Sequence, residues 1–341
     1  MGMNGVAAKA ACLGLLISLG CSEPPERDPL QDTSLHESRF VQADGIALHV
    51  LDWGGSGESL LLVHGSGWSP HYFDDLAPFL ADRFRLIAPA RRGHGQSGIP
   101  GEPFDVDVLA EDLRVILDSL GIERTNLLGA SFAGAEITRF AALYPERVER
   151  LIYLEAHYER VGSPWDTLRL SRPQLPCFGG GIDSLPQMRR CLQDYLRPGL
   201  EWSPTMEAVL LDIIRRDDDG GYHLKTDHPT VSPSFSLVNA SYRREYELLE
   251  MPVLAIFAER FYPVTGVDAE YDRQVVAWHE RCQLEVSGWA MRRFRDAIPQ
   301  VKIVSLPGSA HEELVYNDPE HRDPERLAEE VLAFLRGSRA P

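Results

Sequence analysis

Short apolar runs alternate with amphipathic stretches along most of the chain. Apolar runs long enough for buried strands occur at residues 60–63, 84–88, 148–154 and 253–257, and 301–305 is the last predicted strand. Residues 40–41 and 46–51 alternate around Asp44 and Gly45, which favours an antiparallel hairpin. This order of strands and intervening helices predicts an α/β fold with a mainly parallel sheet and helices on both faces.

Helical periodicity is clearest at residues 106–120. One face of that segment carries Leu109, Leu113, Ile116 and Leu120. Other predicted helices span residues 72–80, 132–144, most of 268–298, and 326–335. Each predicted helix follows a predicted strand, as expected for a sheet that is covered on both faces.

The composition and the hydrophobic pattern of the chain differ between residues 156 and 250 from those of the rest. This block is rich in proline and glycine, contains short amphipathic pieces and shows no obvious sheet strand. It has the size of a helical cap inserted into a core made of residues 39–155 and 251–337. The aromatic residues of the block could line a substrate pocket, although packing against the core is the commoner role. They are Trp165, Phe178, Tyr195 and Trp202.

The sequence of the N-terminus predicts a targeting segment. Lys9 precedes an apolar run at residues 10–19, which is too short to span a bilayer but suits a signal peptide at residues 1–20. The run ends at Ser18-Leu19-Gly20-Cys21, which resembles the lipobox of bacterial lipoproteins, where the cysteine is lipid-modified. The alternative is an ordinary secretory signal with an incidental cysteine. Either reading predicts export, with the polar residues 21–38 as a tether.

Composition narrows the possible partners and cofactors. The chain of 341 residues, 44% of them hydrophobic, can bury a large core. Its net charge of −17 argues against a nucleic-acid partner, because phosphates would be repelled. No zinc-type spacing of cysteine or histidine pairs occurs, and neither a metal nor another cofactor is predicted.

Export changes the interpretation of the cysteines, because disulfides persist in oxidising compartments. Cys177 and Cys191 lie 14 positions apart, and we predict that they form a disulfide, with Cys282 free. The alternative is three inert buried thiols.

Residues 125–134, with the sequence TNLLGASFAG, have the form of a nucleophile elbow. In such an elbow a serine, here Ser131, stands on a tight turn between a strand and a helix. Gly129 supplies the small residue two positions before it, whereas Ala133 stands where glycine is usual two positions after it. The alternative reading of Ser131 is an ordinary helix N-cap.

A second glycine-rich stretch, at residues 93–98, satisfies G-x-G-x-x-G. The dinucleotide-binding motif needs a helix directly after the glycines, but Ile99 and Pro100 follow here. We therefore predict no nucleotide site.

Four motifs, each placed after a predicted strand, make the chain resemble the α/β-hydrolase family from about residue 39 to residue 337. They are His64-Gly65, Arg92-Gly93-His94-Gly95-Gln96-Ser97, the Ser131 elbow and Gly308-Ser309-Ala310-His311. Each motif is weak alone, but their shared order is specific. The resemblance implies an α/β-hydrolase fold and a triad of nucleophile, acid and histidine in that chain order.

The resemblance implies that Ser131 is the nucleophile and His311 its base. Many family members carry the acid where this chain has Phe261, so Glu155 at the end of the preceding strand is the favoured acid, with Glu259 as the alternative. The backbone N–H groups of Ser66 and Phe132 are the implied oxyanion hole.

His64 and His94 are assigned no proton transfer. They lie in the loops that are expected to shape the site.

A serine at the elbow argues against dehalogenase or epoxide hydrolase chemistry, which in this family needs a carboxylate nucleophile. The resemblance therefore implies hydrolysis of an ester or related acyl bond of a small substrate by a bacterial lipoprotein facing the periplasm or cell exterior, or by a secreted protein. The membrane would be a partner through a lipid anchor at Cys21. Cleavage of carbon–carbon or N-terminal peptide bonds, and a non-catalytic binding role, are the alternatives.

Overall fold

A sheet of eight strands forms the centre of the molecule. In this computed structural model its strands are β1 (Glu37–Ala43), β2 (Ile46–Gly54), β3 (Ser59–Val63), β4 (Arg85–Pro89), β5 (Thr125–Ala130), β6 (Val148–Leu154), β9 (Val253–Arg260) and β10 (Lys302–Ala310). They lie in the order β1-β2-β4-β3-β5-β6-β9-β10. β2 is antiparallel to both of its neighbours, and every other neighbouring pair is parallel. The predicted α/β fold is confirmed.

The structure describes residues 36–157, 159–166, 182, 184–193, 202–216, 220–260, 269–311, 314–316 and 323–337. The helices in these ranges are α1 (Val106–Ser119), α2 (Ala133–Leu143), α3 (Leu185–Cys191), α4 (Pro204–Ile213), α5 (Ser232–Ser241), α6 (Ala269–Arg281), α7 (Gly288–Ala297) and α8 (Asp323–Arg336). A π-helical turn, Cys282–Ser287, joins α6 to α7.

Local chemistry accounts for α1, whose periodicity was the clearest in the sequence. The Asp105 carboxylate caps its N-terminus by accepting hydrogen bonds from the backbone N–H groups of Asp107 and Val108 at 3.0 and 3.1 Å. Leu109 and Leu113 are buried on the predicted face.

Helices cover both faces of the sheet, and each face has its own hydrophobic core. One core includes Leu113 of α1, Phe140 of α2 and Phe294 of α7. The other includes Phe73 and Val331, the latter from α8. Parallel strands buried in this way must be apolar on both faces, which explains the continuous apolar runs in the sequence.

The prediction of one helix at residues 72–80 is wrong. That segment forms two short 3-10 helices, Pro70–Phe73 and Ala77–Phe79. Pro78 has no N–H group, and in a continuous helix its ring would clash with the carbonyl group four residues earlier. The last strand is also longer than predicted, because β10 continues through an irregularity in its pairing with β9 between Leu306 and Ala310.

The segment between β6 and β9 was predicted to be a helical cap. It contains α3, α4 and α5, but also two short strands, β7 (Ile214–Arg216) and β8 (Tyr222–Leu224), which form an antiparallel pair. Trp165 packs edge-to-face on Trp278 at 5.5 Å between ring centroids, and the Trp202 indole donates a 2.8 Å hydrogen bond to Glu207. Phe178 and Tyr195 lie outside the described residues.

Residues near the two ends of this inserted segment are tied together. The Arg244 guanidinium donates a hydrogen bond to the carbonyl oxygen of Ala156. The backbone N–H of Arg244 donates to Glu159 at 2.7 Å, and Arg293 of α7 donates to the same carboxylate at 2.8 Å. The chain therefore leaves and rejoins the core at one place.

Contacts divide the chain into residues 1–32 and residues 33–341. The signal peptide, Cys21 and most of the tether lie outside the described residues, so export and lipidation stay predictions. Among the helices of the described ranges, none is both long and apolar enough to cross a bilayer. Cys191 is disulfide-bonded. Because Cys177 and the side chain of Cys282 are outside the described part, the pairing with Cys177 stays a prediction.

Candidate active site

Ser131 lies in the turn between β5 and α2, with the left-handed φ of +52° that few residues other than glycine adopt. Its backbone N–H donates a 3.0 Å hydrogen bond to the carbonyl oxygen of Leu154 at the end of β6. A Cβ atom at Gly129 would come within 2.8 Å of the Ile137 side chain, so glycine lets α2 approach the strand. The turn holds the serine above the carboxyl end of the sheet.

His311 follows β10 and reaches both other residues of the predicted triad. Its Nε2 lies 3.1 Å from the Ser131 hydroxyl oxygen. Its Nδ1 lies 2.8 Å from Oε2 of Glu155. Three residues from the ends of three different strands thus form one continuous row of hydrogen bonds.

Glu155 directly follows β6 and, like Ser131, has a left-handed backbone, with φ of +47°. Its side chain is buried, and its Oε1 accepts a 2.6 Å hydrogen bond from the backbone N–H of Ala258. Burial alone would raise the pKa of this carboxyl, but His157 and the hydrogen bond from His311 outweigh it and hold the pKa below its usual value. The carboxylate is therefore ionised at neutral pH.

Glu259, the alternative acid, lies elsewhere. Its carboxylate accepts a 2.5 Å hydrogen bond from the backbone N–H of Gly308, in the irregular part of β10. Nδ1 of His311 is directed at Glu155, whereas the hydrogen bond described for Glu259 is with Gly308. Phe261 lies outside the described residues.

The predicted oxyanion-hole amides come from the loop after β3 and from the start of α2. A Cβ atom at Gly65 would lie 3.2 Å from Cβ of Ser131, so this loop passes close to the serine. Among the described residues, the N–H groups of Ser66 and Phe132 donate to no other backbone group. Both amides are thus available to a ligand at Ser131.

His64 sets the direction of the Ser66 amide. Its Nε2 accepts a 3.2 Å hydrogen bond from the backbone N–H of Arg91, so the proton is on Nδ1, which donates to the carbonyl oxygen of Gly65 at 2.8 Å. In a trans peptide the N–H points away from the carbonyl oxygen, so holding that oxygen also fixes the Ser66 N–H. Burial holds the pKa of His64 well below 6.5, which keeps the ring neutral.

Comparison with known proteins agrees with the fold described above. The α/β hydrolase fold family matches residues 58–185, which include β3, the loop after β4 and the Ser131 elbow. The chain has the α/β-hydrolase fold.

Solved structures support this assignment of the fold over most of the chain. The crystal structure of E-2-(acetamidomethylene)succinate hydrolase superposes with a TM-score of 0.63 at 20% identity, covering 88% of this chain and 99% of that one. At this level of identity the likeness establishes the fold of the chain and nothing finer.

Curated relatives include hydrolases of two kinds. A 2-hydroxy-6-oxo-2,4-heptadienoate hydrolase of Pseudomonas putida is 37% identical over 46% of this chain and 55% of its own length. A bifunctional esterase/perhydrolase of Acinetobacter calcoaceticus is 25% identical over 86% of this chain and 97% of its own. Uncharacterised mycobacterial proteins are 39% identical, but the chain spans only 30% of their length. These relatives support a hydrolytic enzyme.

An ion pair that the sequence analysis missed lies beside the loop after β3. Arg91 and Glu136 of α2 are both buried, with their charged groups 2.7 Å apart. Arg91 also donates to the carbonyl oxygens of His64 and Gly65, at 2.9 and 3.4 Å, and its guanidinium lies over the Phe132 ring at 5.1 Å. The pair connects the two segments that carry the candidate oxyanion amides.

The loop after β4 is held by a second buried pair. Arg92 donates two 2.7 Å hydrogen bonds to the Asp112 carboxylate of α1. His94, whose pKa burial lowers to about 3, lies 3.4 Å from the backbone N–H of Gly67. The residues that satisfy G-x-G-x-x-G form turns here, without the helix that a dinucleotide site needs.

A second histidine, also missed, lies on the other side of Glu155. His157 Nδ1 is 3.9 Å from Oε1 of Glu155, and its Nε2 is 3.0 Å from the Ser287 hydroxyl. Burial lowers the pKa of His157 to about 4, although Glu155 opposes that change. The only sequence signal was a histidine two positions after the predicted acid.

The buried His157 predicts that acid destabilises the fold. Between pH 6.5 and about 4 the unfolded chain binds a proton at this residue that the folded chain does not, so stability falls as pH falls. Each such group contributes up to about 1.4 kcal/mol per pH unit. Urea unfolding of wild type and His157→Gln at pH 7, 6 and 5 should show a shallower pH dependence for the variant. Equal slopes would contradict the assignment.

Proposed function

We propose that this protein is a serine hydrolase that cleaves an ester or related acyl bond of a small substrate. The observation that carries the proposal is the row of hydrogen bonds from Ser131 through His311 to Glu155. A serine hydroxyl is a weak nucleophile at neutral pH, and an adjacent imidazole can take its proton during attack. A buried carboxylate then stabilises the imidazolium that forms.

The proposed reaction has two halves. The Ser131 oxygen attacks the acyl carbon, its proton passes to Nε2 of His311, and the carbonyl π electrons move onto the oxygen. The N–H groups of Ser66 and Phe132 stabilise that oxyanion. Collapse expels the alcohol, which takes the proton from His311, and leaves an acyl-enzyme. Water then repeats the sequence, with His311 as base, and releases the acid and free Ser131.

A second candidate is hydrolysis of a carbon–carbon bond. It is favoured by the similarity to the Pseudomonas putida 2-hydroxy-6-oxo-2,4-heptadienoate hydrolase, which is 37% identical over 46% of this chain. A panel of p-nitrophenyl esters beside a 2-hydroxy-6-oxo-dienoate, followed by absorbance, separates the two functions. Turnover of the esters alone supports the leading proposal.

Labelling by a fluorophosphonate tests the nucleophile. We expect wild type to react at one site, because the activated Ser131 hydroxyl attacks phosphorus and displaces fluoride. Ser131→Ala should abolish labelling and lower kcat by roughly 10⁴- to 10⁶-fold. Ser119→Ala, which changes an exposed serine at the end of α1, is the matched control and should label as wild type does. A folded wild type that does not label would refute the proposal and favour a binding protein.

A further inference from the structure

Two histidines and an aspartate from separate segments meet near the start of β1. His36 immediately precedes that strand, and His71 and Asp74 belong to the turn at residues 70–74. The two imidazole rings lie 5.2 Å apart between centroids. One potential ligand atom from each of the three side chains lies within 4.8 Å of the other two.

The His71 ring has a carboxylate at each end. Its Nδ1 lies 2.8 Å from Oδ2 of Asp74, and its Nε2 lies 3.8 Å from Oδ2 of Asp212. Asp212 is buried in α4 of the inserted segment, and its other oxygen lies 3.5 Å from the amide of Gln96. A histidine that binds a metal through one nitrogen commonly directs the other N–H at a carboxylate, which fixes the ring.

The cluster lies beside a pocket at the surface, and both ring nitrogens of His36 are buried. The edge of His36 packs on Trp53 at 5.6 Å between centroids, and both side chains line an open pocket of about 660 Å³. Glu37 and Asp52 line the same pocket, and each forms an ion pair with an arginine there, Arg39 or Arg85. The net charge of −17 of the whole chain favours the approach of a cation.

We propose that His36, His71 and Asp74 bind a divalent late transition-metal ion of the zinc type. Two imidazoles and one carboxylate suit zinc, whereas calcium and magnesium prefer oxygen ligands alone. His71 binds through Nδ1, whose proton passes to solvent, and keeps Nε2–H directed at Asp212. Tetrahedral bonds of about 2.0–2.1 Å place ligand atoms about 3.3 Å apart, so side-chain adjustments close the site, and water supplies the fourth ligand.

The site has a structural role. It joins the start of β1 to the turn at residues 70–74 and, through Asp212, to α4 of the inserted segment. Bound metal therefore stabilises the contact between core and insertion, and this role is independent of the proposed hydrolase chemistry.

Metal titration of the full chain, produced without a histidine tag and stripped with a chelator, tests the site. We expect wild type to bind one Zn²⁺ per chain and to melt at a higher temperature when it is loaded. Co²⁺ should give the visible absorption of a tetrahedral site. His36→Gln, at a partly exposed position, should weaken binding by at least 100-fold, and Asp212→Asn should weaken it by 10- to 100-fold.

His228→Gln provides the matched control, because His228 is also partly exposed and lies beside Thr230. It should bind Zn²⁺ as wild type does. Asp74→Asn, which preserves the side chain's shape, should lose binding and guards against misfolding as the cause of loss. Equal Zn²⁺ affinity and stoichiometry in wild type and folded His36→Gln would overturn the proposal and indicate adventitious binding only.

Discussion

Glu155→Gln is expected to lower kcat by about 10⁴-fold while the protein stays folded. The wild-type carboxylate accepts hydrogen bonds at both oxygens, from the N–H of Ala258 and from His311. Glutamine has one oxygen, and when Ala258 occupies it the side-chain NH₂ group faces Nδ1 of His311. That contact forces the proton onto Nε2, where the ring cannot accept the proton of Ser131. Steady-state kinetics and a circular dichroism melt measure both properties.

Glu259→Gln is the control for that experiment. Its amide oxygen can still accept the hydrogen bond from Gly308, so we expect kcat to change by less than about threefold. If Glu259→Gln were the more damaging of the two, the acid role would pass to Glu259.

Arg91→Met is expected to lower the free energy of unfolding by about 3–5 kcal/mol, because it leaves Glu136 buried without its cation. It also removes the donors to the carbonyl oxygens of His64 and Gly65. The Gly65 carbonyl oxygen is then held by His64 alone, so the Ser66 amide is less firmly fixed. The kcat should fall by up to roughly 10²- to 10³-fold, the usual effect of losing an oxyanion donor. Urea unfolding and ester kinetics measure the two effects.

A double variant separates those two effects. Arg91→Met combined with Glu136→Leu removes both buried charges, so most of the lost stability should return. The kcat should stay low, because neither new side chain can donate to the loop. Recovery of kcat together with stability would show that the ion pair serves folding alone.

The parts of the site that could be predicted are those fixed by strand ends. Ser131 and His311 stand just past β5 and β10, and parallel strands bring their carboxyl ends to one edge of the sheet. Glu155 directly follows the apolar run of β6, so the same rule places it at that edge. Periodicity and order predict where such residues lie, and the family resemblance supplied the roles predicted for them.

What escaped prediction depends on contacts between segments that are distant in sequence. Three-residue strands such as β7 are too short to show alternation, so the hairpin in the insertion left no pattern. His36 and His71 are far apart along the chain, which hides their cluster. Glu136 did leave a trace, since a lone acidic residue stands on the apolar face of α2, but its partner Arg91 could not be chosen from sequence.

The tie between Ala156, Glu159 and Arg244 has a consequence for how this protein can change. Since the inserted segment departs and returns at neighbouring points, it can be exchanged as a cassette while the eight strands keep their pairing. New substrate specificity could then evolve by replacement of that segment, while the sheet and the proposed triad stay unchanged. Chimaeras joined at this junction should inherit their substrate range from the donor of the cassette.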